Sequence, residues 1–117
     1  MQLGVIRTFN VEATLPTLED ARRLVIAELK RARQERVRVL KVIHGYGSSG
    51  RGGSLCIGLR KSFRLRKKEG VIKDFVPGED FSIFNEAVLA MLEAVPGLRN
   101  DPDLNATNEG VTLLWLR

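Results

Sequence analysis

"VIHGYGSSGRGGS", residues 42–54, decides the fold. An apolar run closes on a histidine, and glycines follow at 45, 47, 50, 52 and 53. Such a segment ends a strand, turns the chain and leads into a helix. Upstream, "RVRVLKVIH" (36–44) is the strand. Val39, Leu40, Val42 and Ile43 are nearly continuous, which suits a strand covered on both faces. Downstream, a helix is expected over about 54–68, because Gly52 and Gly53 disfavour helix over 50–53. Leu55, Cys56, Leu59 and Phe63 fall on one side of it at the 3.6-residue period, while Arg60, Arg64 and Lys67 gather on another.

Working outward, "LGVIRTFNVE" (3–12) reads as a first strand. Thr17 is a good N-cap, with Asp20 three residues on, for a helix running to about Gln34. Its apolar stripe is Leu18, Ala21, Leu24, Val25, Leu29 and Ala32. "GVIKDFV", from Gly70, is a third strand, closed by Pro77-Gly78. A third helix is expected from about Ser82 to Val95, stopped by Pro96-Gly97. A polar loop follows, and "VTLLWL" is the last strand. The order βαβαβαβ predicts an α/β fold with some parallel strands, a two-layer α/β sandwich in one domain.

Length and composition bound the function. At 117 residues, with 44% hydrophobic and 28% charged residues, the chain suits one soluble globular domain. No run reaches the roughly 18–20 apolar residues of a membrane span, so no membrane partner is expected. "MQLGVIRTFN" lacks a signal peptide's basic and apolar regions. Cys56 is the single cysteine, which excludes an internal disulfide. These features point to a cytoplasmic protein. The formal net charge of +5 is unevenly spread: residues 22–41 carry eight positive and two negative charges (+6), residues 51–68 seven and none (+7), and residues 74–117 two and eight (−6). A basic middle suits an acidic partner such as nucleic acid, or forms solvated faces that pair with the acidic part.

Gly45, Gly47 and Gly50 match G-x-G-x-x-G after a strand, the dinucleotide fingerprint. The match lacks support: the glycines at 52 and 53 disfavour a helix start inside the motif, Asp74 lies inside the next strand, and the helix is crowded with cations. No Gly-Lys-Ser/Thr closes the loop, so a P-loop is excluded. The anion chemistry survives without the cofactor. Glycines bring backbone N–H groups close to an anion, and the next helix offers its N-terminus. Ser48, Ser49 and Ser54 add hydroxyl donors and Arg51 a bidentate fork. No cofactor is expected, and no His, Cys, Asp or Glu pair shows metal-ligand spacing in the basic region.

"VIHGYGSSGRGG" after a strand, before a leucine-bearing basic helix, resembles the Smr (small MutS-related) domain. The order of elements over 1–76 and "EGVTLLWL" agree with it, about two-thirds of the chain. The resemblance implies an α/β sandwich like the C-terminal domain of a translation initiation factor. It also implies binding to DNA or RNA, with nicking or cleavage in some members. By position, His44, Gly45 and Gly47 fall on the family's histidine-glycine-x-glycine signature, and Arg51 lies in the same loop. The family's leucine-aspartate-leucine-histidine-glycine motif at the first strand's end is replaced by "FNVEA". Asn10 stands for the aspartate and Glu12 for the histidine, which puts cleavage in doubt. The segment at about 79–109, a helix and an acidic loop, reads as an insertion whose role the family does not imply.

The expected function is binding of nucleic acid, structured RNA or branched or duplex DNA, by its phosphate backbone. The site would comprise His44, Gly45, Tyr46, Gly47, Ser48, Ser49, Gly50, Arg51 and Gly53 in the loop, with Arg60, Lys61, Arg64 and Lys67 on the helix. Tyr46 is placed to stack on a base or sugar. Two alternatives stand beside this reading. One is an endonuclease with His44 as general acid or base, helped by Glu12; against it, His44 reads more readily as a structural or phosphate-binding residue. The other is a protein-interaction module that uses the acidic segment.

Overall fold

The strand that leads into the glycine loop and the strand "VTLLWL" end up side by side. The computed structural model describes residues 5–14, 16–46 and 51–117. Its strands are β1 (Ile6–Asn10), β2 (Val39–Ile43), β3 (Ile72–Pro77) and β4 (Val111–Leu116). They form one four-stranded sheet in the order β1-β2-β4-β3. β1 and β2 are parallel, and β4 runs antiparallel to both its neighbours. The last strand of the chain therefore sits inside the sheet, with Val39 opposite Trp115 and Ile43 opposite Val111.

Helices α1 (Leu18–Gln34) and α2 (Arg51–Lys68) cover one face. Thr17 caps α1 as its sequence predicts: the Oγ1 atom accepts from the Asp20 N–H at 3.1 Å. Ala21, Val25, Leu29 and Ala32 of α1 meet Leu55, Leu59 and Phe63 of α2 over Leu40, Val42, Leu114 and Leu116. The two helices cross closely at Gly58, where any Cβ would strike the Leu18 side chain. α2 begins at Arg51, three residues earlier than expected, and so contains Gly52 and Gly53. Tertiary contacts along the helix outweigh the roughly 1 kcal/mol per residue that glycine costs there.

The sandwich expected from the sequence is present, and the segment at 79–109 covers the sheet's other face. Helix α3 (Glu86–Ala94) is shorter than the expected 82–95 span, because Asn85 caps it by accepting from Ala87 and Val88 N–H. A 3-10 turn over Pro96–Asn100 follows. Val88, Met91, Leu92, Val95 and Leu98 pack on Val39, Val76, Leu113 and Trp115. Burial on both faces explains why all six residues of β4 are buried. This face also takes Lys41, buried in β2, whose Nζ lies 2.9 Å from Asp101 and also pairs with Asp103. Burial works against the ammonium, yet the two carboxylates raise its pKa above the ordinary value.

Candidate nucleic-acid interface

The site is built where β2 ends beside β4 and α2. Side chains alternate across a strand, so His44 follows Leu40 and Val42 onto the α2 side, as Thr112 does from β4. His44 is fully buried. Its Nδ1 lies 2.8 Å from the Gly45 carbonyl oxygen, which only accepts, so Nδ1 carries the proton. Nε2 is then the acceptor, taking the Thr112 hydroxyl hydrogen at 2.8 Å. Thr112 Oγ1 in turn accepts from Arg60 Nε at 3.1 Å. Donation runs one way, from Arg60 through Thr112 to His44 and on to Gly45. Burial holds the imidazole below its ordinary pKa of 6.5; the Gly45 bond opposes this and the Arg60 charge adds to it.

Arg60 is the hub. Its Nη1 and Nη2 each donate to a Glu79 carboxylate oxygen at 2.8 Å, a fork on a fork. Nη2 also reaches the carbonyls of Val111 at 3.1 Å and Glu109 at 3.3 Å. Burial opposes the Glu79 charge, but the bonds and charge of Arg60, with a backbone N–H, together hold its carboxyl below the usual range. One guanidinium thus ties α2 to β4 and to the turn over Gly78–Asp80. The sequence placed Arg60 among the phosphate ligands; in the fold its donors are occupied by the protein itself.

The loop's entry is fixed by backbone. The N–H groups of His44 and Gly45 both donate to the Gly110 carbonyl at 3.0 Å. Gly45 is left-handed at φ +75°, and the Glu12 carboxylate fills the space a Cβ would need. Beyond it, Tyr46 is exposed. Gly47, Ser48, Ser49 and Gly50 lie outside the described residues, as does the side chain of Arg51, the first residue of α2.

Tyr46 and Gly53 line an open groove of about 500 Å³ with Cys56, Ile57, Arg60, Lys61, Arg64 and Glu79. Lys61 and Arg64 are exposed and, among the described residues, make no ion pair. Lys67 is not in the groove lining; it pairs with Asp74 at 3.0 Å, and Arg66 with Glu69 at 3.3 Å. Cys56 is buried, and burial raises its thiol pKa, with Arg60 opposing and Glu79 and Glu109 adding. Glu12 lines a second groove of about 410 Å³, shared with Tyr46, Asn108 and Glu109. Three residues essential to this arrangement escaped the sequence reading: Thr112, Glu79 and Gly110. The signal for Thr112 was there, the lone polar residue of "VTLLWL".

No protein-family model matches the chain, and no curated protein matches it. Among solved structures, the chain is similar to the crystal structure of the Smr domain of MutS2 from Thermus thermophilus. The two share 22% identity and a TM-score of 0.59 over 95% of this chain and 98% of that one. The chain therefore has the fold of an Smr domain.

Proposed function

We propose that this Smr-fold domain binds nucleic acid through phosphate contacts made by the glycine loop over 44–53 and the outward face of α2. The observation that carries the reading is the groove in which exposed Lys61 and Arg64 stand beside Tyr46, without an ion pair among the described residues. Residues 51–68 hold seven cations and no acid, and the α2 N-terminus adds its positive dipole end where the loop arrives. The loop's glycines, Ser48, Ser49 and Arg51 complete the proposed ligand set, with structured RNA or branched or duplex DNA as partner. His44 acts in this reading as an anchor. It is sealed from solvent and both ring nitrogens are engaged, which disfavours an endonuclease with His44 as base.

The test is a titration of labelled hairpin RNA and duplex DNA across a salt series. Native protein should bind with a log–log slope equal to about four or more phosphates. Lys61→Glu with Arg64→Glu should lose that binding while the fold persists. No binding of either nucleic acid at low salt would overturn the reading.

A second reading has one observation in its favour. Phe84 is 92% exposed, with Ile83 and Leu89 also exposed, on the acidic segment at 79–109. Large exposed apolar side chains mark contact surfaces when they cluster. Since that segment forms half of the core, its deletion would unfold the domain. The useful variant is Phe84→Ser with Leu89→Ser, which should abolish capture of a protein partner and leave nucleic-acid binding intact.

A further inference from the structure

A groove that only gripped phosphate would need cations and backbone donors. This one also exposes apolar surface: Tyr46 is 59% and Ile57 65% exposed, and both line it together with Lys61 and Arg64. Its floor is Cys56, buried and held as a neutral thiol. The nearby acid, Glu79, is neutralised by the Arg60 fork. Among the described residues, two cations without an ion pair and two exposed apolar side chains are left around a space of about 500 Å³, within the range of small-ligand sites, roughly 300–1,000 Å³.

We propose, resting on the nucleic-acid reading above, that this groove takes one unpaired nucleotide, its base against Tyr46 and Ile57 and its flanking phosphates on Lys61 and Arg64. Lys61 and Arg64 are three residues apart on α2, so their Cβ atoms are about 5–6 Å apart. Two long cationic arms from such a base reach successive phosphates of one strand. A base can lie on Tyr46 only if its own stacking partner is absent, as at a bulge, a junction or a strand end. The site holds one base and not a track, because among the described residues no other exposed aromatic side chain lines the groove. Trp115, Phe63 and Phe81 are buried in the two cores, and Phe84 belongs to the acidic segment. The partner is therefore a nucleic acid interrupted by an unpaired nucleotide, and a continuous duplex is the weaker ligand.

Fluorescence anisotropy tests this with a blunt duplex and the same duplex carrying one central unpaired nucleotide, each made in DNA and in RNA. The native protein should prefer the bulged probe about ten-fold, the size of one base–aromatic stack. Tyr46→Ala should erase the preference, and Tyr46→Phe should keep it. Tyr46 is exposed, so neither change threatens the fold. Equal affinity of the native protein for both probes, or a preference that survives Tyr46→Ala, would overturn the proposal. In that case the phosphate reading would stand, provided Lys61→Glu with Arg64→Glu still abolished binding to both probes. If the native protein bound neither probe, both would fall.

Discussion

The inner and outer edges of α2 carry the same residue types and do opposite things. On the inner edge Arg60 is forked onto Glu79, bonded to Thr112 and tied to two carbonyls of the chain. On the outer edge, one residue and one turn further on, Lys61 and Arg64 face solvent. The inner charge is spent on the fold, whereas the outer charges make no ion pair among the described residues. A count of cations along a helix therefore overstates what an anion can reach. Arg60, Arg66 and Lys67 are each paired with an acid.

The largest expected effect breaks this comparison at its centre. Arg60→Met should destabilise the domain by about 2–3 kcal/mol in urea unfolding, between a surface pair and a fully buried one, since Arg60 and Glu79 are half-buried. A loss under about 1 kcal/mol would mean the Arg60 network is ornamental. Next is Gly45→Ala, expected to lower stability by about 2 kcal/mol through left-handed strain and displacement of Glu12; thermal melts would show it. A smaller effect concerns pH. His44 is held neutral in the fold, so the unfolded chain binds the extra proton just below the ordinary pKa of 6.5. Stability should be full above 6.5 and decline as pH falls beneath it. His44→Gln should flatten that part of a stability–pH curve, and an unchanged slope would assign the decline to other groups. The smallest effect sharpens the outer edge: Lys61→Ala with Arg64→Ala should shift stability by less than about 0.5 kcal/mol. The same pair should still reduce the salt slope of binding by about two.

Much of this architecture was legible in residue patterns, and the gaps have physical causes. The apolar run at 39–43, the Thr17 cap and the buried stripe of α2 were all read from period and capping chemistry. Local propensity misled at the start of α2, since Gly52 and Gly53 are carried into the helix by what the rest of it buries. The placement of α3 on the second face is a long-range outcome, settled by the match of Val88, Met91 and Leu92 to Leu113 and Trp115. Of the site, the stretch at 44–46 and the exposed pair Lys61 and Arg64 could be named from the sequence. The engagement of Arg60 could not, because Glu79, Glu109 and Thr112 are 19, 49 and 52 residues away along the chain. Spacing carries information about neighbours on one helix and none about partners at that separation. The same holds for Lys41 with Asp101, separated by 60 residues.

The position of β4 has a consequence for how this chain comes into being. Of the four strands of this sheet, the one synthesised last is inserted between β2 and β3. Until it arrives, β2 offers an unpaired edge, β3 has no neighbour, and both apolar cores lack a wall. The nascent chain therefore cannot consolidate domain-wise from its N-terminus. β1 and β2 can pair beforehand, but the sheet closes late, through contacts of high sequence separation. Losing "VTLLWL" would not trim the molecule but split it, leaving a two-stranded fragment under α1 and a lone strand under α2.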